Sequence, residues 1–187
     1  EAGKELCKES MLVGIKSRDI DEQEPPVAIA ALMKAVDVVV CPTNKSLTHT
    51  DARREAAAQG VRFGTMPGIN LDTMVRCLNA DYDKIIALTD YIAAKLVGVS
   101  TIKVTTEKGT NVVMPVKDRK ILPSKGVMRN KGESGNLPSG EVYLAPWEDQ
   151  TNGTLIIDGS MAGIGMIETP ITIDIVNGYA EKISGGK

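Results

Sequence analysis

A single histidine, His49, serves all 187 residues. Metal centres draw on several converging ligands, and Ser or Cys hydrolases usually need a histidine partner. A complete centre made from this chain would therefore have to rest almost wholly on carboxylates. Aromatic residues are equally sparse, with one Trp, one Phe and four Tyr, so few rings are available for stacking bases. The 22 Lys+Arg against 24 Asp+Glu leave a formal net charge of -2, and no basic field exists to gather a polyanion. Nucleic acid is thereby excluded as an expected partner. Cys7, Cys41 and Cys77 are odd in number and widely spaced, which suggests reduced, buried thiols rather than a disulfide framework or a zinc knuckle. The opening residues are charged and lack an apolar signal core, and no apolar run approaches the ~20 residues needed to cross a bilayer. A cytoplasmic protein with no membrane partner is the expectation.

What is present reads as two architectures in succession. Glu1–Ser10 is compatible with helix but carries no start signal, and Met11–Ile15 is a short apolar strand pattern. Pro25 and Pro26 suit a first helical turn leading to a strand over Val36–Val40. Asn44–Thr50 supplies capping groups for a helix over Asp51–Gln59, closed by Gly60, and Val61–Thr65 is the next strand. Leu71, Met74, Val75 and Leu78 recur at helical spacing, as do Tyr82, Ile85, Ile86, Ile92, Ala93 and Leu96 up to Gly98. Such alternation predicts an α/β layer with a parallel sheet over residues 1–98.

From Val99 the period changes to strand-like alternation: Ile102 and Val104, then Val112–Val116, Glu141–Ala145, Thr154–Asp158 and Ile171–Val176. Asn177-Gly178 is a tight-hairpin signal before Tyr179–Ser184. Lys125–Gly140, with four glycines and a proline, reads as a loop. A mostly antiparallel β domain, a sandwich or small barrel, is expected over residues 99–187.

Three places invite a chemical reading. Glu141 opens an apolar run after the glycine-rich loop. A carboxylate held there is either a solvated strand start or a ligand at a pocket edge, and the residues alone leave both open. His49 lies in Ser46-Leu47-Thr48-His49-Thr50, between a strand and a helix. Clefts open at the carboxyl ends of parallel strands, so it is either part of the helix start or a substrate contact. Asp158-Gly159-Ser160-Met161-Ala162-Gly163-Ile164-Gly165 has neither the Lys of a phosphate loop nor the third glycine of a dinucleotide fingerprint, and reads as a structural turn. The methionines show no ligand-like clustering and are core filler.

Val38-Val39-Val40-Cys41-Pro42-Thr43-Asn44-Lys45-Ser46-Leu47-Thr48-His49-Thr50, Met66-Pro67-Gly68-Ile69, Asn136-Leu137-Pro138-Ser139-Gly140-Glu141-Val142-Tyr143-Leu144-Ala145-Pro146 and Gly153–Ser160, in that order, resemble the aminopeptidase T-like metallopeptidases. The resemblance implies a metallo-aminopeptidase that hydrolyses N-terminal residues from peptides with a water activated by two divalent ions, zinc or cobalt, in a homodimer. It makes Glu141 a metal ligand and places the other ligands beyond Lys187. On that reading the 187 residues are a fragment truncated at both ends, inactive alone and binding no metal, or nearly none. A related branch with the same architecture, the ring-cleaving dioxygenases acting on dihydroxypyridines, uses one ferrous ion and is the alternative. His49 would then approach the substrate. A non-catalytic α/β binding module is the third possibility.

Overall fold

The computed structural model describes residues 2–186. Glu1 and Lys187, at which the predicted domains begin and end, lie outside the described residues. In chain order the helices are α1 (Ala2–Leu6), α2 (Val27–Lys34), α3 (Asp51–Ala58), α4 (Leu71–Thr73, running on as a π-helical turn over Met74–Leu78) and α5 (Tyr82–Leu96). The strands are β1 (Val38–Cys41), β2 (Arg62–Thr65), β3 (Thr101–Thr105), β4 (Asn111–Pro115), β5 (Leu122–Ser124) and β6 (Ser134–Asn136). They continue as β7 (Glu141–Tyr143), β8 (Asn152–Ile157), β9 (Ser160–Met161), β10 (Gly165–Met166), β11 (Ile171–Val176) and β12 (Tyr179–Gly185). The chain divides into two compact units, one comprising the residues up to Asp81 with Gly126–Ser139, the other Tyr82–Lys125 with the residues from Gly140 onward. The expected class is the observed one: an α/β part with a small parallel sheet, and a larger antiparallel sheet.

The first unit is built on a three-stranded parallel sheet in the order β1-β2-β6. Its core forms where Phe63, Val61 and Cys41 meet Leu47, Met33 and the alanines of α3. Ala52, Ala56 and Ala57 are the buried face of α3, and their short side chains let the helix lie close to the strands while Arg54 is exposed. Thr50 starts α3 as foreseen, its hydroxyl accepting from the Arg53 amide at 3.4 Å. Burial pushes the Cys41 thiol up to about 11. Because the neutral thiol is the form the core holds, the stability it contributes is complete below about pH 9 and declines as pH rises toward 11. Alkylation followed by mass spectrometry at pH near 8 should therefore label exposed Cys7 and leave Cys41 unmodified.

Two expectations fail in this unit. Met11–Ile15 forms no strand: it has no ladder partner, and Leu12 is fully exposed. An apolar run becomes a strand only when a neighbour accepts its backbone groups. Conversely, the glycine-rich segment expected to be loop contributes β6, paired in parallel with β2 at Phe63↔Ser134, Gly64↔Gly135 and Thr65↔Asn136. Glycines on both strands, Gly64 on β2 and Gly135 on β6, serve close packing. A Cβ on Gly64 would come within 2.7 Å of Leu137 Cδ1, and one on Gly135 would touch the Met128 sulfur at 3.4 Å.

The second unit holds an antiparallel sheet in the order β12-β11-β8-β4-β3. It is an open sheet with β12 and β3 at its edges, so the expected barrel is not closed. The β11–β12 hairpin turns at Asn177 and Gly178, both with positive φ (48° and 81°), the geometry that the Asn-Gly pair favours. Helix α5 has the predicted period: Ile85, Ile86, Ala93 and Leu96 are half-buried and Thr89 is buried, and α5 packs on the β5–β7 ribbon. The glycine-containing stretch after β8 is the short β9–β10 hairpin, in keeping with a structural turn. No helix among the described residues is long and apolar enough to cross a membrane.

Candidate functional site

The three parallel strands end at Cys41, Thr65 and Asn136, and their carboxyl ends carry a connected set of polar side chains. The Thr48 hydroxyl donates to Thr65 Oγ1 at 3.0 Å, and the Thr65 hydroxyl donates to Asn136 Oδ1 at 2.8 Å. Thr48 Oγ1 also lies 3.2 Å from Asn136 Oδ1. Arg53 closes the set from α3: its Nε donates to the Thr48 carbonyl at 2.7 Å and its Nη1 to the Ser134 hydroxyl at 3.0 Å. Ser134 and Asn136 are two apart on β6 and share a face, which is why one arginine and one threonine reach both ends of that strand. Burial lowers the basicity of Arg53, Arg54 nearby adds to this and Glu22 opposes it.

The loop after β1 is fixed from below. Leu47 and Thr50 are buried, at 2% and 1% exposure, and they bracket Thr48 and His49. An acidic turn of the same unit holds it from the side. Asp21 accepts from the Ser46 amide at 2.7 Å, Glu22 accepts from the His49 amide, and Glu24 accepts from the Asp51 and Ala52 amides at 2.6 and 3.2 Å. Glu24 occupies amide groups at the start of α3 that would otherwise lack partners, where negative charge is favourable, and Asp21 and Glu22 hold amides of the loop before it. The His49 backbone is thus tethered, while its imidazole is exposed and has no hydrogen-bond partner among the described residues. Thr65 is the buried centre of the set at 2% exposure. Thr65→Val keeps its shape but removes the hydroxyl that links Thr48 to Asn136, so urea titration should show a loss of about 1 kcal/mol.

Glu141 belongs to the other unit. It is the first residue of β7, opposite Ser124 of β5, exposed, and without a side-chain hydrogen bond or ion pair among the described residues. Among the described residues no group of three or more His, Cys, Asp or Glu side chains is placed to hold a metal ion. His49 and Glu141 fall in different units. Arg53, Thr65, Ser134 and Asn136 were not legible as site residues, because their convergence depends on β6 lying beside β2.

The family model described as NicX, 2,5-dihydroxypyridine 5,6-dioxygenase, matches residues 8–187. The chain belongs to this family. A solved structure of the 2,5-dihydroxypyridine dioxygenase from Pseudomonas putida KT2440 superimposes with a TM-score of 0.70 at 22% identity, covering 86% of this chain and 46% of that one. That likeness shows a common fold, and the chain spans less than half the length of that dioxygenase. No curated protein matches.

Membership of the NicX family overturns the aminopeptidase T-like assignment. With it fall the metallo-aminopeptidase activity, the classification as hydrolase and protease, and the peptide as substrate. The two-metal zinc or cobalt centre loses its support as well, since the peptidase resemblance was its basis. The segments that carried the resemblance are largely the ends of parallel strands and the turns after them: Cys41–Thr50 follows β1, Met66–Ile69 follows β2, and Asn136–Gly140 follows β6. Such segments report the path of the backbone, which different chemistries can share.

Proposed function

We propose that this chain supplies the ring-binding part of a ring-cleaving dioxygenase that acts on a dihydroxypyridine. The observation that carries this reading is the match of the NicX model to residues 8–187. The polar set at the carboxyl edge of the parallel sheet supports it, because that edge is where open α/β sheets take their ligands. A hydroxylated heteroaromatic ring presents oxygen and nitrogen acceptors around a flat apolar face. His49, exposed on a loop whose neighbours are pinned, is suited to lie against such a ring and to exchange a proton with a ring hydroxyl.

Ring cleavage of this class joins both atoms of dioxygen to the opened ring, with ferrous iron supplying the site at which oxygen is activated. Such iron is held by His and carboxylate ligands that converge on one face. The described residues do not fit it: there is one histidine, and no three candidate ligands come together. Glu141 would supply a single oxygen donor and makes no centre by itself, so no step is assigned here to the metal.

The test uses the 187-residue chain directly. Titrated with 2,5-dihydroxypyridine, it should bind saturably, and with ferrous iron and air it should consume no oxygen above the protein-free blank. Absence of saturable binding, or release of nitroaniline from leucine p-nitroanilide, would overturn the proposal.

A further inference from the structure

We infer that Arg53 and Asn136 form a prearranged pair of hydrogen-bond donors that recognises an oxygen substituent of the bound ring and so sets specificity. The inference rests on the ring-binding reading above and names the residues that discriminate.

Each member of the pair has its inner side committed and its outer side available. Asn136 Oδ1 receives the Thr65 hydroxyl at 2.8 Å and lies 3.2 Å from the Thr48 hydroxyl. With the oxygen facing inward, the amide Nδ2 and its two N–H groups face outward, on an exposed residue and with no partner among the described residues. Arg53 uses Nε and Nη1 on the Thr48 carbonyl and the Ser134 hydroxyl, which leaves Nη2 without a partner among the described residues. Two of the groups that orient the pair sit on the parallel strands, Thr65 on β2 and Ser134 on β6, and Asn136 is itself on β6. Donors held this way lose little further freedom on binding, and a site built on them rejects a ligand lacking the matching acceptor far more strongly than an apolar pocket does.

The charges around the pair define the ligand. Glu22 lies near enough to raise the basicity of Arg53 and Arg54 near enough to lower it. Asp21, Glu22 and Glu24 are engaged with backbone amides, and Asp51 pairs with Arg54 at 3.1 Å. One cation and one neutral amide therefore remain to face a ligand. That set suits the hydroxyl or oxo oxygen of a ring better than a multiply charged phosphate, which would call for several cations.

Isothermal titration of the chain with 2,5-dihydroxypyridine, catechol and pyridine tests this. The wild type should prefer the two hydroxylated rings to pyridine by about 10-fold or more, a preference worth one good hydrogen bond to a charged group. Asn136→Asp keeps the inward oxygen that Thr65 and Thr48 require and removes the outward donors. Arg53→Lys keeps the charge and removes the fork. Both variants should fold, and both should lose most of the preference while pyridine affinity changes little. A purely structural defect would weaken all three ligands together and leave the ratio unchanged, which would overturn the inference, as would failure of every probe to bind. Catechol binding that depends on Arg53 without dihydroxypyridine binding would uphold the donor pair and sink the dioxygenase reading. Dihydroxypyridine binding indifferent to both variants would do the reverse.

Discussion

Replacing Phe63 with alanine will lower the free energy of unfolding by about 3–5 kcal/mol, the range for a large aromatic side chain removed from a packed interior. Phe63 is fully buried in β2, the middle strand of the parallel sheet, opposite Val39 of β1 and Ser134 of β6. Its buried core neighbours are Met33, Cys41, Leu47, Val61 and the alanines of α3, none of which carries a ring to fill the space it leaves. The functional consequence follows from register. Thr65 is two residues further along the same strand and on the same face as Phe63, and relaxation of β2 into the void would move the hydroxyl that orients Asn136. Denaturant melts of Phe63→Ala and Phe63→Leu should show the leucine variant losing much less, and ring affinity should fall in the same order.

The second large effect belongs to the antiparallel sheet and leaves the candidate site alone. Gly153 lies in β8 with φ of 133°, opposite Val112 of β4 and Ile175 of β11. An added Cβ would stand 2.1 Å from the Asn111 carbonyl oxygen and 2.8 Å from Val112 Cα. Backbone atoms on a central strand cannot move aside as a side-chain tip can, and the backbone conformation is itself one that residues with a Cβ rarely adopt. Gly153→Ala should therefore cost about 3 kcal/mol or more, at the upper end of single-site effects. Hydrogen exchange should find the loss of protection concentrated in β4 and β8, because the two strands must separate to admit the methyl group. Loss of dihydroxypyridine binding is not expected from this change.

Much of the fold was legible where a local signal settles a local structure. The spacing of Ile85, Ile86, Ala93 and Leu96 announced α5, the alanines of 52–57 announced α3, and Asn177-Gly178 announced the last hairpin. Each of these depends on interactions within a few residues. The segments that misled depend on distant partners. Met11–Ile15 has strand composition but no strand beside it, whereas Ser134–Asn136 has loop composition and becomes a strand because Phe63–Thr65 offers it a parallel edge with space for its glycine.

The candidate site divides in the same way. In the sequence His49 reads as either part of the helix start or a substrate contact, because a polar loop following a strand of an α/β layer lies at the edge where such sheets take ligands. Arg53, Thr65 and Asn136 were not legible, since a threonine inside a strand and an arginine on an alanine-rich helix look ordinary until the ends of β2 and β6 are seen side by side. Glu141 drew attention for its position in a recognisable stretch. The structure shows an exposed strand residue with no companion ligands among the described residues.

The most direct test of the account is an amide chemical-shift titration of the isotopically labelled chain with 2,5-dihydroxypyridine. The largest shifts should fall on Thr48, His49, Arg53 and Asn136, at the carboxyl edge of the parallel sheet. Shifts confined to the β-rich unit around Glu141, or none at saturating ligand, would contradict the placement of the ring and with it the function proposed for this chain.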